Sequence, residues 1–175
     1  RLTYEQAHVD SLGDDRWQEI IALCTTAYDH PDFENLLRLY PNTTHVLARL
    51  GEQLVSHACW VTRWLQPGDH RPLRTAYIEA VATDPRHQHM GFGSAVMERI
   101  ATAIADYELA ALSPATHSFY ERLGWERWIG PLAVRTEDGL QPTPQDDAMV
   151  LRLAQTPHLD LTWPLTAEWR EGELW

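Results

Sequence analysis

The chain has 175 residues, of which 44% are apolar, enough to build one compact hydrophobic core. The sequence therefore predicts a single domain over residues 1–175. Acidic side chains outnumber basic ones by 25 to 14, which gives a formal charge of -11. Such a negative surface repels phosphate backbones and anionic lipid headgroups, which argues against nucleic acid and membranes as partners and favours a cationic partner.

Cysteine usage is low, with only Cys24 and Cys59 in the whole chain. They form no CxxC pair, and no cluster of cysteine and histidine has zinc-binding spacing, so we expect neither a disulfide scaffold nor a bound metal. This usage favours a reducing, cytoplasmic location. No apolar run approaches the length of a membrane-spanning helix, and no signal peptide is visible.

The apolar periodicity and the turn residues predict a series of short elements in chain order. Strands are predicted at residues 2–9, 45–50, 53–65, 73–83, 108–112, 125–134 and 148–153. Helices are predicted after Asp14 and Asp15, at 33–39, at 93–107 and at 115–123, where Gly124 ends the helix. Residues 136–147 are expected to form a loop, and the tail at 159–175 has no clear period. This order predicts an α/β or α+β fold with a mixed sheet flanked by helices.

The most informative segment is the loop between the strand at 73–83 and the helix that follows it. It contains the pattern Gln88-x-x-Gly91-x-Gly93. Glycines allow a ligand to approach the backbone closely, and the first amides of a helix lack acceptors, so the segment is suited to hold a pyrophosphate. The third glycine of the dinucleotide fingerprint and the Gly-Lys-Ser/Thr of a Walker loop are missing, which disfavours NAD and ATP.

This loop resembles the acetyl-CoA loop of the GCN5-related N-acetyltransferase (GNAT) family, Gln/Arg-x-x-Gly-x-Gly/Ala. Residues 118–125, which read Ser-Phe-Tyr-Glu-Arg-Leu-Gly-Trp, resemble a second family segment, Phe-Tyr-x-x-x-Gly-Phe. The resemblance implies a central, mostly antiparallel twisted sheet, acetyl-CoA as cofactor, no metal, and a homodimer. It also implies a set of cofactor-binding residues: Val81, Ala82, Gln88, His89, Met90, Gly91, Phe92, Gly93 and Ser94.

Two further segments are similar to the aminoglycoside 2'-N-acetyltransferase branch of that family. Residues 77–82 resemble its Tyr-Val-Glu strand, and residues 168–175 resemble its C-terminal pattern acidic-Trp-Arg-x-Gly-acidic-x-Trp. The resemblance implies transfer of acetyl to an amino sugar, a cationic small molecule that also suits the charge of the chain.

Amine acetylation needs a base for the ammonium proton and an acid for the leaving thiolate. Glu79 is the lone acid in an apolar strand, and we expect its burial to raise its pKa and suit it as the base. By the family's pattern, Tyr120 is the acid. The structural alternatives are that Glu79 is a surface acid on an edge strand and that Tyr120 is an aromatic core residue.

A cationic acceptor would be held by carboxylates, and the resemblance points to the C-terminal end. The candidates are Asp29, Asp32, Glu79, Asp146, Asp147, Glu168, Glu173 and the terminal carboxylate of Trp175. Residues 29–33 and 40–45 depart from the runs found in branch members with broad aminoglycoside use. We therefore expect a narrower acceptor and favour kasugamycin over deoxystreptamine drugs. The alternatives are an acetyltransferase for another small amine or a protein amine, and a non-catalytic acyl-CoA sensor.

Overall fold

The computed structural model describes all residues 1–175. The helices are α1 (Gly13–Tyr28), α2 (Phe33–Arg38), α3 (Phe92–Ala103) and α4 (His117–Glu121). The strands are β1 (Leu2–His8), β2 (Thr44–Leu50), β3 (Gln53–Pro67), β4 (Leu73–Thr83), β5 (Leu109–Leu112), β6 (Glu126–Arg127), β7 (Leu132–Thr136), β8 (Gly139–Pro142), β9 (Met149–Leu151) and β10 (Leu165–Glu168). Short 3-10 turns occupy Val9–Ser11 and Pro85–His87. None of the helices combines the length and the apolar character needed to cross a membrane.

The chain forms two compact units. The first unit contains Arg1–Val61 and Ile78–Ala103, and the second contains Thr62–Tyr77 and Ile104–Trp175. The long neighbouring strands β3 and β4 each contribute to both units. The single-domain organisation expected from the sequence stays a prediction.

In the first unit, β1, β2 and β3 form an antiparallel sheet that is covered by α1 and α2. Helix α1 buries Trp17, Ile20, Leu23 and Cys24, which recur every three or four residues and therefore share one face. Asp14 and Asp15 lie in its first turn, where negative charge is favourable. The resulting core also includes residues of β4, so this packing supports the strand that carries the predicted base.

In the second unit, β4 pairs in parallel with β5, which is followed by the antiparallel pairs β5 with β9 and β9 with β6. The end of β3 pairs antiparallel with β10, which pairs in parallel with β7, and β8 continues antiparallel from β7. The core of this unit contains Tyr77, Leu109, Trp128 and Trp175.

The predicted fold class is confirmed, because a mixed, mostly antiparallel sheet is flanked by helices. Two predictions about single elements are wrong. The strand at 125–134 is interrupted between β6 and β7, and the loop at 136–147 contains β8. The tail, for which no element was predicted, contains β10. Helix α3 is also shorter than predicted, because residues 104–106 form a turn after Ala103.

Candidate active site

Strand β4 is irregular where the predicted base lies. Ala80 has a φ of +54°, in the left-handed region that residues with a Cβ rarely occupy. Side chains of the first unit donate to four successive carbonyl oxygens here. The bonds are Cys59 Sγ to Glu79 O (3.5 Å), His57 Nδ1 to Ala80 O (2.9 Å), the Tyr28 hydroxyl to Val81 O (2.7 Å) and the Ser56 hydroxyl to Ala82 O (3.1 Å). The conformation of this segment is therefore fixed by side chains as well as by its strand neighbours.

Glu79 itself is half-buried, between the buried residues Ile78 and Ala80. The pKa of the nearby Cys59 thiol is held well above its usual range, mainly by burial and in part by the negative charge of Glu79. The Glu79 carboxylate thus lies near Cys59 and is partly shielded from water.

The loop after β4 is anchored at its first residue. The Asp84 carboxylate accepts bonds from the backbone amide of Arg86 (2.9 Å), from its guanidinium (2.8 Å) and from the Gln53 side chain (3.1 Å). These contacts, above all the bond from the Arg86 side chain, lower the pKa of Asp84 to about 2. Asp84 therefore stays ionised and fixes the start of the loop at neutral pH.

The rest of the loop presents its backbone to solvent. His89 and Gly91 have φ values of +63° and +84°, and both residues are exposed. An added Cβ at Gly91 would have no neighbour within 4 Å, so this position needs glycine for its backbone conformation and not for space. The loop then leads directly into the first turn of α3 at Phe92.

The first turn of α3 offers hydrogen-bond donors. The first amides of an α-helix have no intrahelical acceptor. In α3 the amide of Ala95 donates to the carbonyl of Gly91 (3.0 Å), and this is the first bond of the helix. The amides of Phe92, Gly93 and Ser94 come before it and have no acceptor within the helix. This turn contains no acidic residue that would repel an anion. The residues therefore fit the diphosphate of an acyl-CoA cosubstrate.

Tyr120 lies in the second unit, on the short helix α4. It is 8% exposed and contacts the rings of Phe119 and Trp125 edge-on, with centroids 4.9 and 6.1 Å away. Burial raises the pKa of its phenol to about 12. The side chain is consequently neutral at physiological pH and can donate a hydrogen bond or a proton to a thiolate.

Two of the predicted acceptor acids lie in the turn between α1 and α2. Asp29 ends α1 in a left-handed conformation, and Asp32 accepts a bond from Asn35 (2.5 Å). Both are exposed. They adjoin Tyr28, whose hydroxyl binds the Val81 carbonyl, so the structure brings this turn to strand β4 within the first unit.

The remaining acids lie in the second unit and have different surroundings. Asp146 and Glu173 are exposed, and Asp147 accepts a bond from His117 Nε2 (2.5 Å). Glu168 binds Arg63 and the backbone amide of Trp64 (2.7 Å), so its charge is already paired. The Trp175 side chain is buried, and its ring nitrogen donates to Thr143 (2.9 Å). Glu168 is therefore the least suited of these carboxylates to bind an acceptor amine.

Sequence reasoning missed Tyr28, His45 and His57. Tyr28 ends an amphipathic helix, and nothing in its position signals a contact with β4. The two histidines carried a usable signal, because His45 and His57 lie on the two strands of a predicted hairpin. The observed register pairs His45 with Cys59, which places these side chains on one face.

Comparisons with known proteins agree with this geometry. A family model described as an acetyltransferase (GNAT) domain matches residues 8–128. The aminoglycoside 2'-N-acetyltransferase of Mycolicibacterium fortuitum is 34% identical over 129 residues, which cover 70% of this chain and 66% of that protein. The chain thus spans slightly less than two thirds of that relative.

Two solved structures show the same fold at low identity. A GCN5-related N-acetyltransferase from Anabaena variabilis has a TM-score of 0.63 and 18% identity, over 75% of this chain and 33% of that chain. An acyl-CoA N-acyltransferase from Pseudomonas aeruginosa has a TM-score of 0.61 and 21% identity, over 86% of this chain and 99% of that chain.

Proposed function

Because this chain belongs to the GNAT acetyltransferase family, we propose that it transfers acetyl from acetyl-CoA to the 2'-amino group of an aminoglycoside antibiotic and thereby confers resistance. The observation that carries the acyl-CoA part is the exposed left-handed loop that leads into the free amides of α3. The acceptor part is supported by the 34% identity to an aminoglycoside 2'-N-acetyltransferase and by the charge of -11.

In this proposal the backbone of β4 and of the loop holds the acyl donor. The amides at the start of α3 bind the diphosphate, supported by the loop residues Gln88, His89, Met90 and Gly91. The backbone groups of Val81 and Ala82 bind the extended pantetheine arm as an added strand would. A backbone site of this kind suits an acidic protein, because oriented amide dipoles act locally whatever the net charge.

Direct transfer then needs two proton movements. The amine nitrogen attacks the thioester carbonyl carbon and loses its proton to the Glu79 carboxylate, directly or through water. The carbon–sulfur bond breaks, and the departing thiolate takes a proton from the Tyr120 phenol. Tyr120 is neutral at physiological pH and therefore carries the proton that the thiolate takes up.

The acceptor is proposed to be held by the exposed acids Asp29, Asp32, Asp146 and Glu173, together with Asp147, which follows Asp146 in the chain. We favour kasugamycin over deoxystreptamine drugs because residues 29–33 and 40–45 differ from the runs of broad-range enzymes. We also propose a homodimer and a cytoplasmic location, which agrees with two free, buried cysteines.

A thiol-release assay tests the reaction. Purified protein is incubated with acetyl-CoA and kasugamycin, tobramycin or gentamicin, and the acetylated nitrogen is mapped by NMR. We expect turnover with kasugamycin above that with the other two, at the 2' position. If none of the three antibiotics but a peptide amine were acetylated, the acceptor would be a protein and not an aminoglycoside. CoA binding without turnover on any amine would favour a non-catalytic acyl-CoA sensor.

Glu79→Gln tests the base. We expect kcat/KM to fall by about 100-fold or more, while the dissociation constant of CoA changes less than about threefold. Glu52→Gln, in the exposed turn of the β2–β3 hairpin, is the matched control and should keep full activity. Full activity of the Glu79 variant at neutral pH would show that Glu79 is not the base.

Gly91→Ala tests the loop. Alanine is strained at a φ of +84°, so we expect CoA affinity to fall about tenfold. Gly51→Ala is a close control, because Gly51 has a φ of +63° and equally open space around its Cβ position but lies in the hairpin turn. Equal affinity of both variants for CoA, as measured by calorimetry, would contradict the loop's role.

A further inference from the structure

A chain of hydrogen bonds runs through the core of the first unit and ends at the irregular part of β4. The Thr43 hydroxyl bonds His45 Nε2 (2.8 Å), His45 Nδ1 bonds His57 Nε2 (2.8 Å), and His57 Nδ1 bonds the carbonyl of Ala80 (2.9 Å). Thr43 is 1% exposed, and both histidines are fully buried. Polar groups this deep in a core require a specific reason, because burying them costs free energy unless every bond is made.

The chemistry of the last acceptor fixes the proton positions along the whole chain. A carbonyl oxygen only accepts, so His57 carries its proton on Nδ1, and its Nε2 must accept from His45 Nδ1. His45 Nε2 then accepts from Thr43. Every donor points the same way, towards Ala80. A second proton on His57 would lie on Nε2 and face the N–H of His45 Nδ1. Burial also lowers the pKa of His45 to about 3 and that of His57 to about 4.

A metal site is the first alternative, because ligand atoms of His45, His57 and Cys59 lie within 4.8 Å of one another. The four ring nitrogens are already occupied by the hydrogen bonds of the chain. The raised pKa of Cys59 disfavours the thiolate that would bind a metal. The internal hydrogen bonds therefore account for this cluster better than a metal does.

A proton relay is the second alternative. A relay towards Glu79 would have to end on a group that can take up and release a proton. This chain ends on the amide carbonyl of Ala80, which is not a base near neutral pH. The chain therefore holds a conformation and does not conduct protons to the carboxylate.

The conformation it holds is unfavourable by itself. Ala80 is left-handed at +54°, where an L-residue with a Cβ is strained and glycine is not. Ala80 is 8% exposed, so little water can reach its carbonyl oxygen. The hydrogen bond from His57 therefore stabilises the left-handed conformation of Ala80. The residues on either side are Glu79, the proposed base, and Val81, whose backbone is proposed to bind the acyl donor.

We propose that His57, oriented by His45, is a positioning residue that holds Ala80 in the left-handed conformation and thereby sets the direction of the Glu79 carboxylate and of the Val81 backbone. This role rests on the proposed acetyl transfer. The rate of acetyl transfer then depends on His45 and His57, although neither residue touches a substrate.

Two isosteric variants separate the two ring nitrogens of His57. Asparagine places an amide nitrogen where Nδ1 lies, one bond from Cγ, and so keeps the donor to Ala80. Glutamine reaches the Nε2 position and loses that donor. We expect His57→Gln to lower kcat at least tenfold with KM changed less than threefold, and His57→Asn to keep kcat within threefold of the parent. Equal kcat values for the two variants would overturn the proposal.

A second substitution distinguishes positioning from general destabilisation. Ala80→Gly removes the strain of the left-handed residue, so the double variant His57→Gln/Ala80→Gly should recover at least threefold of the lost kcat. Asn42 is also left-handed, at a φ of +53°, but lies in the turn before β2. His57→Gln/Asn42→Gly is therefore the matched control and should recover nothing. Equal recovery in both double variants would show that only stability had been lost.

Two measurements test the role of His57 without an acetyl acceptor. Nitrogen-15 spectra of the parent protein at pH 7 should show His45 and His57 as neutral rings protonated on Nδ1, and a ring protonated on Nε2 would overturn the chain. A crystal structure of His57→Gln should show Ala80 shifted out of the left-handed region, and an unchanged φ would overturn the positioning role. If the parent acetylates no amine, the proposed function fails while these two results still decide the inference.

Discussion

Strand β3 carries two buried polar networks that differ in charge. In the first unit, His57 belongs to a neutral chain of hydrogen bonds that ends on the Ala80 carbonyl. In the second unit, Arg63 is 2% exposed and binds Glu168 through Nε (2.5 Å) and the carbonyls of Leu174 and Glu168 (2.8 Å each). Its guanidinium also lies 4.8 Å from the ring centre of Tyr77.

The two networks are suited to different tasks. The charged network ties strand β3 to two segments of the tail more than a hundred residues away, at Glu168 and Leu174, so it stabilises the fold of its unit. The neutral chain ends on one strained residue beside Glu79, so it determines local geometry more than overall stability. The two networks should therefore respond differently to mutation and to pH.

Removing the charged network should have the largest effect on stability. Arg63→Met removes the guanidinium charge and its hydrogen bonds to one carboxylate oxygen of Glu168 and to two backbone carbonyls. We expect a loss of about 3 kcal/mol in the free energy of unfolding. Urea unfolding followed by circular dichroism measures this loss. Arg63→Lys, which keeps the charge but not the fork of donors, should lose about half as much. A loss below about 1 kcal/mol for Arg63→Met would mean that the network adds little to the fold.

Mild acid should lower the stability of the protein through the neutral histidine chain. The folded pKa values of His45 and His57, about 3 and about 4, lie below the unfolded value near 6.5. Below pH 6.5 the unfolded chain therefore binds more protons, so stability is highest above pH 6.5 and falls as the pH drops. The expected loss is on the order of 1 kcal/mol per pH unit for each histidine, or about 2 kcal/mol between pH 6.5 and 5.5.

The control for this acid effect is the variant that removes one histidine. The titratable groups facing the pair are His8, Cys24 and Cys59, and Glu79 lies beyond Cys59. Both thiols stay protonated in this range, because burial raises their pKa values. The slope of stability against pH between 6.5 and 5.5 should therefore be about half as steep in His57→Gln. An identical slope would assign the acid effect to other groups.

His57→Gln should cost less stability than Arg63→Met. The substitution removes one buried hydrogen bond to a neutral carbonyl, and we expect a loss of about 1 to 2 kcal/mol at pH 7.5. Thermal unfolding at that pH, with Arg63→Met alongside, measures the ratio of the two effects. A larger loss for the histidine variant would reverse the comparison between the networks.

The smallest effect is expected at the anchored loop. Asp84→Asn weakens the bonds to Arg86 and Gln53 while leaving the strand intact, so we expect the CoA dissociation constant to rise by about threefold. Calorimetric titration at pH 7.5 provides the value. Because the pKa of Asp84 is lowered to about 2, the parent's affinity should show no contribution from this carboxyl between pH 5 and 8. If Asp84→Asn changed only the enthalpy of binding and not the dissociation constant, this prediction would be contradicted.

Elements with local signals could be predicted from the sequence. The periodic faces of α1 and α3, the strand at 73–83 and the glycines of the loop all follow from residues close to one another in the chain. Gly91 is a clear case, because its conformation is needed where it stands and depends on no distant contact. The residues proposed to bind the acyl donor rest on the same local signals and stay a prediction.

Features that depend on distant partners could not be predicted. The break at Gly130 arises because the amides of Ile129 and Gly130 donate to Leu161 O (2.9 and 2.8 Å), while a Cβ at Gly130 would clash with the backbone of Trp163. Strand β10 exists because it lies between β3 and β7. The left-handed Ala80 has no sequence signal either, since its support comes from another strand.

Binding of CoA at the start of α3 is tested by following the backbone amides of Phe92, Gly93 and Ser94 by proton–nitrogen NMR during a titration with CoA. We expect saturable shifts at these three amides and at Gly91, with smaller changes at the exposed control Gly51. A titration in which CoA leaves these amides unchanged and releases no heat of binding would contradict a CoA site at the start of α3.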